Sequence, residues 1–247
     1  MTIKKQAMNA FSELQPLSGS FPSNRKQALA ETLRQRVLLM HLAPGACIDE
    51  VALCEAFGLS RSPVRELLRQ LATEGYIELE ANKPPRAAFM DQGAFLGFFQ
   101  AAPLIYTASI QLAASQALPD GLHRLKAIHR DLNRATEQRD AARHLMLNNA
   151  FHLQIGYMAH NDYLLPSLRR LLIDHARLSS LADANPGADD AQVGRRLAYE
   201  HYESMIGALE RRDAEAAGVL MREYFERSRH RLATFALPRI FTATGAV

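Results

Sequence analysis

Arg61, Arg65 and Arg69 recur at four-residue spacing in GLSRSPVRELLRQLATEGY, the stretch from Gly58 to Tyr76. On a helix that spacing places three guanidinium groups along one edge. Each is a permanently charged, planar fork of donors, suited to phosphate oxygens and to the acceptor edge of guanine. Ser60 and Ser62 add short hydroxyl donors for phosphate. A solvated basic stripe is the plainer alternative, and the surrounding elements must decide between them. A second polar set lies further along. Asn148 and His152 stand one helical turn apart, while His175, Tyr202 and Tyr224 each interrupt an apolar helical stripe. Five such tips converging in an apolar interior suit hydrogen bonding to a polar ligand. The alternative is a plugged pocket in which the tyrosines merely fill the core.

The elements that must carry these residues are legible from periodicity. Val64, Leu67, Leu68 and Leu71 turn inward and leave the arginines outside. Ser62 suits the cap of that helix and Pro63 its first position, and Gly58 suits the sharp turn before it. A helix from about Asn24 and a short one over DEVALCEAF precede it. Leu53, Phe57 and Leu59 have the spacing to pack against the arginine helix, with Cys54 in a small-residue slot. YIELEANKPPRAAFM then changes period, giving strand, turn and returning strand with Lys83 and Arg86 at the hairpin. Three helices and a basic hairpin are winged helix-turn-helix organisation, in which the second helix of the motif enters the major groove of DNA. This order spans residues 23–90 after a loose leader (1–22), and DQG (91–93) reads as a junction. Residues 94–236 read as an all-α bundle of six or seven helices, with DANPGADD (183–190) a loop and 237–247 a tail. The whole is therefore mainly α.

Composition excludes several classes. The 247-residue chain is 48% hydrophobic and 22% charged, in the range of folded domains rather than disordered ones. No secretory-type apolar segment and no run of eighteen apolar residues is visible, so no membrane span is expected. Two cysteines make no disulfide framework and fit a reducing cytoplasm. The net charge of +3 permits an anionic partner without requiring one.

Residues 24 to 90 resemble the GntR family of bacterial transcription regulators. LAPGACIDEVALCEAFGLSRSPVRELLRQLATEGYIE is similar to the family signature nearly throughout, and SRSPVRELLRQL is its most specific part. FHLQIGYMAHNDYL, MIGALERRDAEAA and MREYFERSR resemble the FCD-type effector domain of the FadR branch. The resemblance implies a homodimer on a palindromic double-stranded operator, with a small, commonly carboxylate-bearing effector whose binding releases repression. It assigns DNA contacts to Ser60, Arg61, Ser62, Arg65, Asn82 and Lys83, which the basic face and hairpin extend to Arg69 and Arg86. Val51 departs from the arginine often found at that point of the family.

Many members of the branch bind a divalent metal through Asp, His, His and His at the positions matching 148, 152, 202 and 224. Here the set reads Asn, His, Tyr, Tyr. A neutral amide oxygen and phenols with an unperturbed pKa near ~10 are poor ligands at neutral pH, so no cofactor is expected. A zinc or nickel ion, if bound, would need His152 with Asn148, His201 or His175. Asn148, His152, His175, Tyr202 and Tyr224 are instead expected to contact the effector directly. His41, His123, His129, His144, His160 and His230 are expected on solvated faces, and Asn161 as the cap of the helix that follows it. Two competing functions are a constitutive DNA-binding dimer and a metal-dependent enzyme, and the latter finds no HExxH, phosphate loop or nucleophile elbow.

Overall fold

The computed structural model describes residues 24–183 and 188–235, in two compact units divided between Phe89 and Met90. The leader and tail read from the sequence lie outside the described residues. The first helix, α1 (Arg25–Leu38), starts where the Asn24 side chain accepts from the Gln27 amide at 3.2 Å. Asp49 caps α2 (Glu50–Phe57) in the same way, accepting from Val51 and Ala52. Gly58 then turns the chain at φ 60, the left-handed region that side chains enter at a cost.

The next helix, α3 (Arg61–Glu74), begins earlier than the sequence suggests. Its cap position is Ser60, not Ser62, and the Ser60 side chain makes no capping hydrogen bond. Pro63 is the third helical residue rather than the first. The shift is tolerated because amides throughout a helix's first turn lack intrahelical partners, so proline's missing N–H costs nothing there. Val64, Leu67, Leu68 and Leu71 are buried as expected. Arg34 grips the Glu74 carboxylate through Nε and Nη2, each at 2.9 Å, and ties α1 to α3.

The hairpin is shorter than its apolar alternation suggests. Strands β1 (Ile77–Glu78) and β2 (Arg86–Ala87) pair antiparallel with Ile77 opposite Ala87. The loop before α2 supports β2: the Gly45 amide donates to the Ala87 carbonyl at 2.9 Å, and Ile48 to Pro85 at 2.8 Å. The backbone of Cys47 pairs with that of Arg86 in an isolated antiparallel bridge, its thiol free and exposed, and Cys54 is half-buried.

The second unit is a bundle of six helices among the described residues: α4 (Gln92–Ser115), α5 (Pro119–Glu137), α6 (Ala141–Met158), α7 (Leu164–Asp183), α8 (Ala188–Glu210) and α9 (Ala214–Phe235). Residues 91–93, expected as a junction, are the cap and first turn of α4, because the Asp91 carboxylate accepts from the Ala94 amide at 2.8 Å. The expected loop 183–190 is helical at Asp183 and again from Ala188, and the remainder lies outside the described residues. Asn161 accepts from the amides of Tyr163 and Leu164 and so turns the chain into α7.

α4 packs against α6, α7, α8 and α9 and buries Phe98, Ala102, Tyr106 and Ile110. By length and composition it is apolar enough to cross a membrane, unlike the sequence expectation, which looked for an unbroken apolar run. Its buried face is the centre of the bundle core.

Candidate functional site

In the N-terminal unit, Ser60, Arg61, Ser62, Arg65 and Arg69 are all exposed on α3, and Asn82 and Lys83 are exposed at the hairpin tip. Asn82 takes a left-handed φ of 60, which sharpens the tip. Arg65 is not loose. Its Nε donates to Glu50 Oε2 at 2.8 Å, and the carboxylate holds the guanidinium charged well into the alkaline range. That bond is made by Nε, so the N–H donors of the two terminal nitrogens take no part in it. Arg86 is turned back: it is half-buried and donates to the Gly45 carbonyl at 2.9 Å, steadying the hairpin rather than extending from it. Val51, where the resemblance leads one to look for arginine, is exposed at the start of α2.

In the C-terminal unit, α6, α8 and α9 bring Asn148, His152, Tyr202 and Tyr224 together. The Tyr202 hydroxyl donates to Asn148 Oδ1, and Tyr224 approaches the same oxygen at 3.5 Å. Tyr202's oxygen therefore accepts from His152 Nε2, at 3.2 Å. That assignment makes Nδ1 the lone-pair nitrogen of His152, and it has no hydrogen-bond partner in the core. Burial, with His175 facing it, keeps this imidazole neutral well below the ordinary range. Burial and the neighbouring Tyr224 raise the Tyr202 phenol well above its usual value, and burial raises Tyr224.

His175 belongs to an adjoining pair. Its Nδ1 lies 2.9 Å from the hydroxyl of Tyr106 and its ring 6.0 Å from that of His152. Tyr106 went unnoticed in the sequence. The only signal was one phenol inside the apolar run PLIYTASI.

This donor set does not suit a divalent ion. Both phenols are held protonated, Asn148 is neutral, and His201 is committed elsewhere: Nε2 donates to the Leu220 carbonyl at 2.6 Å, and Nδ1 meets Arg227. No group of three or more His, Cys, Asp or Glu side chains with metal-holding geometry occurs among the described residues.

A cavity of about 550 Å³ lies beside the cluster rather than within it. Asn148 and Tyr224 reach its wall, whereas His152, His175 and Tyr202 do not. Several further polar walls were missed in the sequence, among them His144, Asp183, Arg195, Arg227 and Arg231. His144 is not on a solvated face. Burial, then Arg195, pushes its imidazole down to about 4. His129 is buried as well, stacked on Tyr199 with ring centroids 4.0 Å apart.

Residues 25–84 match the model of the bacterial regulatory proteins of the gntR family, and residues 99–227 match the FCD domain. The chain is 25% identical over 182 residues to the Nta operon transcriptional regulator of Aminobacter aminovorans, covering 73% of this chain and 82% of that one. Over 47 residues, 19% of this chain and 20% of the relative, it is 51% identical to an HTH-type transcriptional regulator in an unstable DNA locus of Streptomyces ambofaciens. Among solved structures, E. coli McbR/YncC superposes with a TM-score of 0.73 at 18% identity, over 86% of this chain and 99% of that one. A putative GntR transcriptional regulator from Rhodococcus sp. RHA1 does so with a TM-score of 0.64 at 17% identity, over 85% and 98%. These likenesses carry the fold.

Proposed function

The chain belongs to the GntR family of bacterial regulatory proteins, with a C-terminal FCD domain, and is a transcription regulator rather than an enzyme; from that membership we propose that it is a cytoplasmic, homodimeric repressor released from DNA by a small molecule. Each protomer places α3 in the major groove of one half-site of a palindromic operator. Arg61, Arg65 and Arg69 face the bases and adjoining backbone, Ser60 and Ser62 take phosphate, and Asn82 and Lys83 reach the flanking backbone. Two protomers are needed because one short helix contacts too little DNA for tight specific binding.

The observation that carries this reading is Arg65: exposed on α3 and anchored through Nε, a bond that does not use its two terminal nitrogens. That posture suits bidentate pairing with guanine O6 and N7. Arg65→Ala is expected to lose roughly 1–3 kcal/mol per half-site, read by competitive titration of operator against scrambled DNA. Equal operator affinity for wild type and variant would remove Arg65 from the interface.

The second reading, a constitutive DNA-binding dimer, draws support from the two phenols that close the space around His152. The cavity beside that cluster favours ligand control instead, since its volume falls in the range of small-molecule sites, roughly 300–1,000 Å³. Operator affinity unmoved by any cavity ligand would return the choice to the constitutive dimer.

A further inference from the structure

We infer that Val51 is a specificity-determining residue of the DNA-binding face, its side chain packing on the 5-methyl group of a thymine in each half-site. This rests on the DNA-binding reading above and adds a base that the arginines do not read.

Val51 stands in the first turn of α2, one residue after Glu50, whose Oε2 accepts from Arg65 Nε at 2.8 Å. Cys54, one turn further along the same face, also lies near enough to Arg65 for its sulfur to act on the guanidinium. Val51 is turned away from the core. Leu53 and Phe57 are the buried residues of α2, whereas Val51 is 49% exposed. An apolar side chain thus stands in the open beside the arginine that enters the major groove.

The chemistry of this end of α2 disfavours the phosphate backbone. A helix start attracts phosphate through its open amides. Here the amides of Val51 and Ala52 are taken by the Asp49 carboxylate, at 2.9 and 3.1 Å. That carboxylate is also a like charge to any phosphate brought near it. Valine itself has no donor to offer. What remains is the floor of the groove, and among the base edges there the thymine methyl is the one apolar group. A β-branched side chain suits it, because its methyl groups are held in few rotamers and lose little freedom on contact. Contact would also bury apolar surface that Val51 now exposes to water. Base steps rise about 3.4 Å, so a thymine within about two steps of the guanine taken by Arg65 lies in reach of a residue next to Glu50.

The probe is a duplex library with a randomised central stretch, from which the full-length wild-type protein selects its own binding sequence. In the selected duplex each thymine is then replaced singly by deoxyuridine, which removes the 5-methyl group and nothing else. Competitive fluorescence anisotropy is expected to find one thymine per half-site whose replacement weakens wild-type binding about fourfold, the worth of one buried methyl group. With Val51→Ala the same replacement is expected to change affinity by less than about twofold, since the two changes remove one shared contact. Replacing the guanine taken by Arg65 is expected to stay costly in both proteins. The wild-type titrations alter the DNA alone and so do not depend on how the variant folds. Val51 is exposed, so its variant retains the fold, and matching thermal melts would verify this.

The inference is overturned if no thymine shows a methyl effect, or if the effect persists undiminished in Val51→Ala. Either result leaves the DNA-binding reading standing, because the protein has still selected a sequence whose guanine it reads through Arg65. A library from which no sequence is enriched overturns both.

Discussion

At the scale of the residue, the informative features are side chains held by one end and free at the other. Glu50 grips Arg65 by Nε alone, from the first turn of a helix whose own start is fixed by Asp49. The grip does two things. It aims the remaining fork, and it offsets part of the charge that would otherwise draw Arg65 to any phosphate. Glu50→Ala should therefore lower operator affinity several-fold while leaving binding to scrambled DNA unchanged or stronger. The salt dependence should steepen by about one phosphate contact per protomer. Fluorescence anisotropy of both DNAs across a salt series measures this, and a parallel change on the two would show that Glu50 merely supports α2. The exposed basic edge was legible here because a four-residue period is unmistakable in α3. Arg86 was not, since its carbonyl partner Gly45 lies 41 positions away.

Helices and turns show where local chemistry sufficed and where it did not. Capping by Asn24, Asp49, Asp91 and Asn161 settles four helix starts. The start of α3 escaped the same logic, because proline is acceptable anywhere in the first turn and so marks no single position. Gly58 is the element on which the α2–α3 angle turns. Its φ is 60, and an added Cβ would stand 2.6 Å from Arg25 Nη1, which donates to the Gly58 carbonyl at 3.2 Å. Gly58→Val should destabilise the N-terminal unit by roughly 1–3 kcal/mol, the cost of a side chain forced into the left-handed region. A urea melt that follows this unit reads the loss, and an unchanged midpoint would mean that the turn relaxes without penalty.

At the scale of the whole molecule, the C-terminal unit stores neutral imidazoles at buried positions, His152 and His175 in the core and His144 on the cavity wall. Burial, then Arg231, pushes His175 down to about 3, and burial, then Arg195, pushes His144 to about 4. His152 is lower than ordinary for the reasons of burial and His175. In the unfolded chain these rings take up protons as pH falls through 6.5, their unperturbed value, whereas in the folded unit His144 and His175 do not until about 4 and about 3, and His152 is held down in the same direction. Between those limits the unfolded state binds more protons, so stability falls with falling pH, and above the window the three rings contribute no slope. Thermal midpoints should be level above about pH 7 and decline from about pH 6.5 to 4, with a shallower decline in His144→Gln. A level midpoint across that window would mean that burial does not hold these rings neutral.

What the sequence determined by itself was everything written in short-range period and composition. That includes the helical order, the basic edge of α3, the hairpin behind it, and the meeting of Asn148 with His152 one turn away. Tyr202 and Tyr224 were also foreseeable, because a polar tip in an apolar stripe has only the core to enter. Tertiary structure alone decided the rest. It set the cavity beside that cluster rather than inside it, and it drew Arg195 and Arg231 onto Asp183 from 12 and 48 positions away. A lone arginine or histidine in a helix reads as solvated until its partner is known. Those partners are chosen by how helices pack, at separations where no sequence period reaches.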